Sequence, residues 1–261
     1  MAPATIERVL SSIARVHRLL GAADPTKSAQ VRAAYRGVVR RRVAAGQGGQ
    51  RQAVGLTEAA VGAMLATLGA RRIDCRDRAL LLVARDLLAR RGELVALRVR
   101  DLMPAGDGGA TIRIARAKTD VQGRGRALYL GPRTYTAVRT WLRVARITDG
   151  PLFRSVHATG KVGARLHVGS VSPILKKLAR RAAPALRRQG IDPDGVSGHS
   201  CRVGMAQDLV AAGFDVVAIM QAGRWKSPEM VARYTERLHA RRGAVAQYHR
   251  RVAARRRTSG R

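Results

Sequence analysis

The sequence predicts a mainly α-helical protein with one small antiparallel β-sheet, and three observations carry that expectation. Apolar residues recur at helical spacing over most of the chain, one short stretch alternates apolar with polar residues, and glycine-containing breaks punctuate the helical runs. With 261 residues, 46% of them hydrophobic, there is material for one large domain or two smaller ones with a real core.

The first run, residues 5–20, sets Ile6, Val9, Leu10, Ile13, Val16, Leu19 and Leu20 at helical spacing, and Gly21 stops it. A second helix is expected over 27–44. The stretch AGQGGQRQAVG that follows reads as a linker, so the boundary between two regions is placed near residue 52, giving 1–51 and 52–261. Two helices are too little to bury a core alone, so the first region should pack on the second, on a ligand or on another copy, or be a shortened domain. Thr57 is expected to cap the next helix, with Glu58 in its first turn where the helix dipole favours negative charge. A long helical stretch is expected over 77–99. The period then changes in TIRIARAKTDVQGRGRALYL: Ile112 and Ile114, then Leu128 and Leu130, alternate with polar residues around a basic glycine-containing loop, which predicts a β-hairpin. Helices are expected from about 134 onward, broken at Gly150-Pro151, at 192–198 and at Gly213, and the chain closes on a basic tail.

Charge narrows the function. Lysine and arginine total 50 against 17 acidic residues, a net charge of +33, and only six of the 50 are lysine. Such an excess points to a polyanionic partner, nucleic acid first, because neutralising phosphates releases condensed counterions. Arginine supplies a planar fork that fits a phosphate by two points. An aromatic content of 3% argues against single-strand binding through stacked bases. No run approaches the length of a membrane span, no signal-peptide pattern opens the chain, and Cys75 and Cys201 are too isolated for a disulfide framework or a zinc site. A cytoplasmic, nucleoid-associated protein without membrane attachment is the expectation.

Four separated segments hold residue types suited to phosphodiester chemistry. They are Arg90-Arg91-Gly92-Glu93-Leu94 at a helical bend, Lys118 beside the hairpin loop, His199-Ser200-Cys201-Arg202 opening a helix after Gly198, and GRWKSPEMVARYTER with Trp225 nine residues before Tyr234. Ser227 and Pro228 suit the start of a short helix that carries Tyr234 about two turns along. His199 and Arg202, three apart, could approach one group from one helical face. Singly each has an ordinary reading: a solvated ion pair, a basic loop, a cap, a boundary tyrosine like Tyr35, Tyr129, Tyr135 or Tyr248. Their order and spacing together say more.

LLARRGELVALRVRDL resembles the first arginine box of the tyrosine recombinases, also called the phage integrase family. HSCRVGMAQDLVAAG followed by IMQAGRW is similar to the second box in its Cre-like form, and Tyr234 stands where that family's nucleophile stands. The resemblance spans roughly 56–245, with a weaker match in TIERVLSSIARVHRLLGAADPT. It implies a tyrosine recombinase catalytic domain over 52–261, preceded in 1–51 by a partial helical core-binding region whose first helices would be missing. Gly92 stands where relatives often carry serine.

The resemblance also implies roles. Arg90 and Arg202 would grip the non-bridging oxygens of a scissile phosphate, and His199 would hydrogen-bond it and help take the Tyr234 proton. Trp225 would occupy a slot that holds a second histidine in most relatives; its indole can donate but cannot shuttle a proton. Lys118 would be the general acid for the leaving 5′-hydroxyl, and Glu93 a supporting acid that orients the site. Attack by Tyr234 would give a 3′-phosphotyrosine that conserves the bond for rejoining, in a homo-tetramer on double-stranded DNA, with segment 241–254 docking on a neighbour or contacting DNA. Neither metal nor nucleotide cofactor is implied. Two other readings stay open at this point: a DNA-binding protein of the same family with little or no recombinase activity, and a type IB topoisomerase, which shares the chemistry.

Overall fold

A computed structural model describes residues 2–46, 52–114, 125–242, 248, 249 and 252. The chain divides into two compact units, 1–52 and 53–261.

The first unit is a helix pair. α1 (Pro3–Leu19) begins on a proline, which suits a first helical turn, and ends where Gly21 adopts a φ of 66°. A short 3-10 turn at Pro25–Lys27, capped by Asp24, leads into α2 (Ala29–Ala44), whose first turn is capped by the Ser28 hydroxyl accepting from the Val31 N–H at 3.3 Å. No residue of either helix is buried.

The second unit carries the core. α3 (Glu58–Leu65) and α4 (Arg72–Asp86) are followed by α5 (Arg91–Ala96) and a three-stranded antiparallel sheet in the order β1 (Leu102–Pro104), β2 (Ala110–Ile114), β3 (Arg126–Leu130). Ile112 pairs with Leu128 across the hairpin, and Ala110, Ile112 and Ile114 of β2 bury one face, as a period of two requires. α6 (Pro132–Ala145), α7 (Val171–Arg181) and α8 (Ala183–Arg188) complete the main cluster, in which Trp141 and Phe153 are fully buried. α9 (Ser200–Ala211), α10 (Val216–Gly223) and α11 (Pro228–Arg242) form a second, smaller cluster of Leu88, Ala206, Ile219, Trp225 and Val231, with Tyr234 packed against it. Among the described residues no helix is long and apolar enough to cross a membrane.

Four local expectations are corrected. The helical stretch over 77–99 is two helices, because Leu88 takes a left-handed φ of 42° and ends α4. Thr57 sits at the cap position of α3, but its side chain accepts no hydrogen bond there; Asp208 Oδ2 accepts from the Glu58 N–H at 2.8 Å instead. The hairpin has a third strand, β1, whose three residues are too few to show an alternation. Residues 151–167 are irregular chain with an isolated bridge between Val156 and Val162, where helix was expected. Most of the hairpin loop, Lys118 with it, and most of segment 241–254 lie outside the described residues.

Candidate active site

The site is built where α4 and α10 end. Breaking α4 at Leu88 leaves its last carbonyls without helical partners, and a helix end must satisfy such groups. Two arginines do so. Arg224 Nη1 donates to the Leu87 carbonyl at 3.0 Å, and Arg202 Nη1 donates to the Leu88 carbonyl. Arg202 Nη2 donates in turn to the carbonyl of Gly223, the last residue of α10. Arg202 is 2% exposed, so its charge has left water. The C-termini of two helices, each the negative end of a dipole, offset that burial. Its pKa still falls from the ordinary arginine value to about 10, through burial first and then the nearby charges of Arg90 and Arg224.

Arg202 is also fixed from above. Its guanidinium carbon lies 4.4 Å from the centroid of the Trp225 ring. That ring meets the Tyr234 ring at a centroid distance of 5.4 Å with planes tilted by 53°. Trp225 is buried and Tyr234 half-buried, so arginine, indole and phenol form one packed column. A Cβ at Gly223 would overlap the six-membered ring of Trp225, so glycine is what lets α10 end against the indole. α11 is held in turn by Gln207 Nε2, which donates to the Tyr234 carbonyl at 3.1 Å, and by the buried Thr235 hydroxyl, which donates to the Val231 carbonyl at 2.9 Å.

The first arginine box packs on the same corner. Glu93 is buried, and its Oε1 accepts from Arg90 Nη1 at 2.7 Å while Oε2 accepts from the Arg90 backbone N–H at 2.9 Å. Oε2 also accepts from Arg224 Nη2 at 2.6 Å. Burial pushes the Glu93 pKa up, but the Arg90 N–H, the Arg224 charge and the Arg90 side chain together hold it below the usual carboxylate value. Arg90 itself is only partly buried, its side chain 29% exposed.

His199 is the cap residue of α9, with helical backbone angles of −100° and −9°, and its carbonyl accepts from the Val203 N–H at 3.0 Å, three residues before Arg202. It keeps solvent access while Arg202 is buried beneath it. Removal of its ring from water, then the charges of Arg202, Arg91 and Arg90, lower its pKa from the ordinary 6.5. The neutral imidazole, which can accept a proton, is therefore the form present at neutral pH. The loop before it is pinned by Ser172, whose Oγ accepts from the Gly198 N–H at 3.1 Å.

The structure thus brings Arg90, Glu93, His199, Arg202, Trp225 and Tyr234 to one corner of the second unit, and Lys118 lies outside the described residues. Sequence reasoning missed Arg224, which joins the Glu93 carboxylate to the end of α4. One signal existed: it directly precedes Trp225 in GRWKSP. Among the described residues no cluster of histidine, cysteine and acidic groups could hold a metal ion.

A small cationic corner on a helical scaffold lies against a half-buried tyrosine, an arrangement chemically able to hold an oxyanion beside a phenol. Comparison with known proteins narrows the class. The model of the phage integrase family matches residues 55–241, and the chain belongs to that family. The recombinase cre of Escherichia phage P1 is 30% identical over 257 residues, covering 95% of this chain and 74% of its own length. An integrase/recombinase xerD homolog of Selenomonas ruminantium is 33% identical over 168 residues, 62% of this chain and 47% of that protein. The XerH site-specific recombinase, solved bound to palindromic difH substrate as a post-cleavage complex, superposes with a TM-score of 0.55 at 17% identity, covering 74% of this chain and 54% of that one. That last similarity is one of fold. The chain spans about half the length of the last two proteins.

Proposed function

We propose that the chain is a site-specific DNA recombinase that cleaves and rejoins double-stranded DNA through a 3′-phosphotyrosine on Tyr234. The observation that carries this reading is the packed column of Arg202, Trp225 and Tyr234 beside Arg90. An arginine already clamped by two helix ends spends no reorganisation when charge grows on a phosphate, which is what preorganised electrostatic catalysis requires. Arg202 and the partly exposed Arg90 hold the two non-bridging oxygens. The Tyr234 hydroxyl attacks phosphorus in line; the phosphorus–oxygen bond to the 5′ side breaks, and Lys118 protonates the leaving 5′-hydroxyl. Neutral His199 takes the phenol proton. Trp225 fixes Arg202 and Tyr234 relative to each other, and its indole N–H can donate to the phosphate. The scheme draws on no metal or nucleotide.

A net charge of +33 supports the DNA partner. So does a cavity of about 670 Å³ near His199, lined by Ser172, Lys176, Lys177, Arg180, Arg181 and Ser197, which offers a basic wall for backbone phosphates. Strand exchange between two duplexes needs four active sites, so the working form is a homo-tetramer, with region 1–51 contributing to DNA grip and 52–261 to catalysis. The experiment is adduct capture: incubate the protein with a plasmid library of random inserts, denature, recover protein-linked DNA and sequence the junctions. Adducts at one recurrent sequence support recombination at a specific site. Adducts spread over all sequences favour relaxation of the topoisomerase kind, and DNA binding without any adduct favours a protein that only occupies DNA.

A further inference from the structure

Arg224 is a costly residue to keep where it is. It terminates α10 in the left-handed region, with φ 56° and ψ 45°, a conformation that side-chain-bearing residues adopt rarely and glycine adopts freely. Its side chain is 6% exposed, and its Nε has no hydrogen-bond partner among the described residues. A buried orphan donor is unfavourable, and a strained, buried charge points to a task that offsets the expense.

We propose that Arg224 is a positioning residue for the oxyanion site: by occupying Glu93 Oε2 it keeps Arg90 from closing on its own carboxylate. Glu93 Oε1 takes one donor from the Arg90 side chain, while Oε2 is filled by the Arg90 backbone N–H and by Arg224 Nη2. An arginine and a carboxylate left to themselves close into a two-point fork that uses two guanidinium donors. Here the second oxygen is taken, so Arg90 is attached by Nη1 and keeps its other donors for a ligand. Arg224 is anchored independently of that ligand by the Leu87 carbonyl at 3.0 Å, the residue before the left-handed Leu88. It also changes the charge of the corner. Three guanidinium groups, Arg90, Arg202 and Arg224, face the single Glu93 carboxylate, which leaves an excess of positive charge for an anion.

This inference rests on the reading of the corner as a phosphate site, and the test separates the two. Tungstate serves as a tetrahedral oxyanion probe, titrated calorimetrically against the full chain at fixed ionic strength. Arg90→Ala checks the site itself: unchanged tungstate affinity there would show that the corner does not hold oxyanions, and the reading beneath the proposal fails. With the site established, Arg224→Gly, which suits the left-handed backbone, is expected to weaken tungstate on the order of fivefold in the wild-type background and by clearly less in a Glu93→Gln background, where only the lost charge counts and no fork can form, since coupled residues are not additive. Arg224→Lys, which keeps the charge and the contact with Glu93 Oε2, should restore part of the loss, which a purely structural role would not predict; Arg224→Asn, which tolerates the left-handed backbone and removes the charge, replaces the glycine variant in the cycle should that variant melt below the assay temperature. Equal losses in both backgrounds, or none in either, overturn the proposal.

Discussion

The guanidinium of Arg202 lies 4.4 Å from the centroid of the Trp225 ring, and the same indole meets the Tyr234 ring at 5.4 Å. Trp225 thus packs on both a buried charge and a phenol. Trp225→Phe keeps a ring there and should destabilise the protein by about 1 kcal/mol, whereas Trp225→Ala removes the ring and should cost about 3 kcal/mol. Urea denaturation of both variants checks this. Equal losses would mean that the ring does not hold the column.

The approach of α9 to the chain entering α3 depends on Gly204. A Cβ there would overlap the backbone carbonyl of Leu56, which cannot move aside as a flexible side chain would. Gly204→Ala should destabilise by about 1–3 kcal/mol. Gly62→Ala, on α3 where an added Cβ meets nothing within 4 Å, should be stabilising by about 0.5 kcal/mol. Thermal melts of the pair make the comparison; a Gly204→Ala protein as stable as wild type would contradict the close packing.

His199 gives a pH dependence with a definite sign. Its folded pKa lies below the ordinary 6.5, so the unfolded chain binds the proton first as pH falls. The stability associated with this residue is complete above about 6.5 and is lost progressively below it, down to the folded pKa. DNA cleavage should therefore persist at and just below pH 6.5 and decline only further into acid. A pH–rate profile on a cleavable duplex tests this, with His199→Asn expected to flatten the acid limb. A midpoint above 6.5 in the wild type would reverse the sign and contradict the account.

Lys118→Ala should slow cleavage of ordinary DNA yet be largely rescued when the leaving group is a 5′-thiol, which departs without a proton. Single-turnover rates on matched oxygen and sulfur substrates provide the measurement. An equal defect on both would assign the general acid elsewhere.

Much of this architecture is legible in the residues because it depends on local pattern. The apolar spacing of 5–20 predicts α1 closely, α2 falls within the expected 27–44, and the alternation of Ile112 and Ile114 predicts β2. A bend is expected at Arg90–Leu94, but that the chain breaks at Leu88 is not legible. No glycine or proline marks it, and what holds the left-handed turn is tertiary: carbonyls turned toward Arg202 and Arg224, residues more than 100 positions away. Arg224 escaped for a related reason, since an ion pair to Glu93 cannot be read from one arginine in a chain with 50 basic residues. Arg90, His199, Arg202, Trp225 and Tyr234 could be selected because the resemblance gives each a role, whereas Arg224 lies inside the IMQAGRW stretch with no role assigned to it there.

The central claim is that Tyr234 is the residue joined to DNA. The direct measurement is peptide mapping by mass spectrometry of a captured protein–DNA adduct after nuclease trimming. The account predicts a nucleotide-modified peptide containing Tyr234, and no adduct from Tyr234→Phe although that variant still binds DNA. A modification on Tyr129, Tyr135 or any other residue, or an adduct that survives Tyr234→Phe, would contradict it.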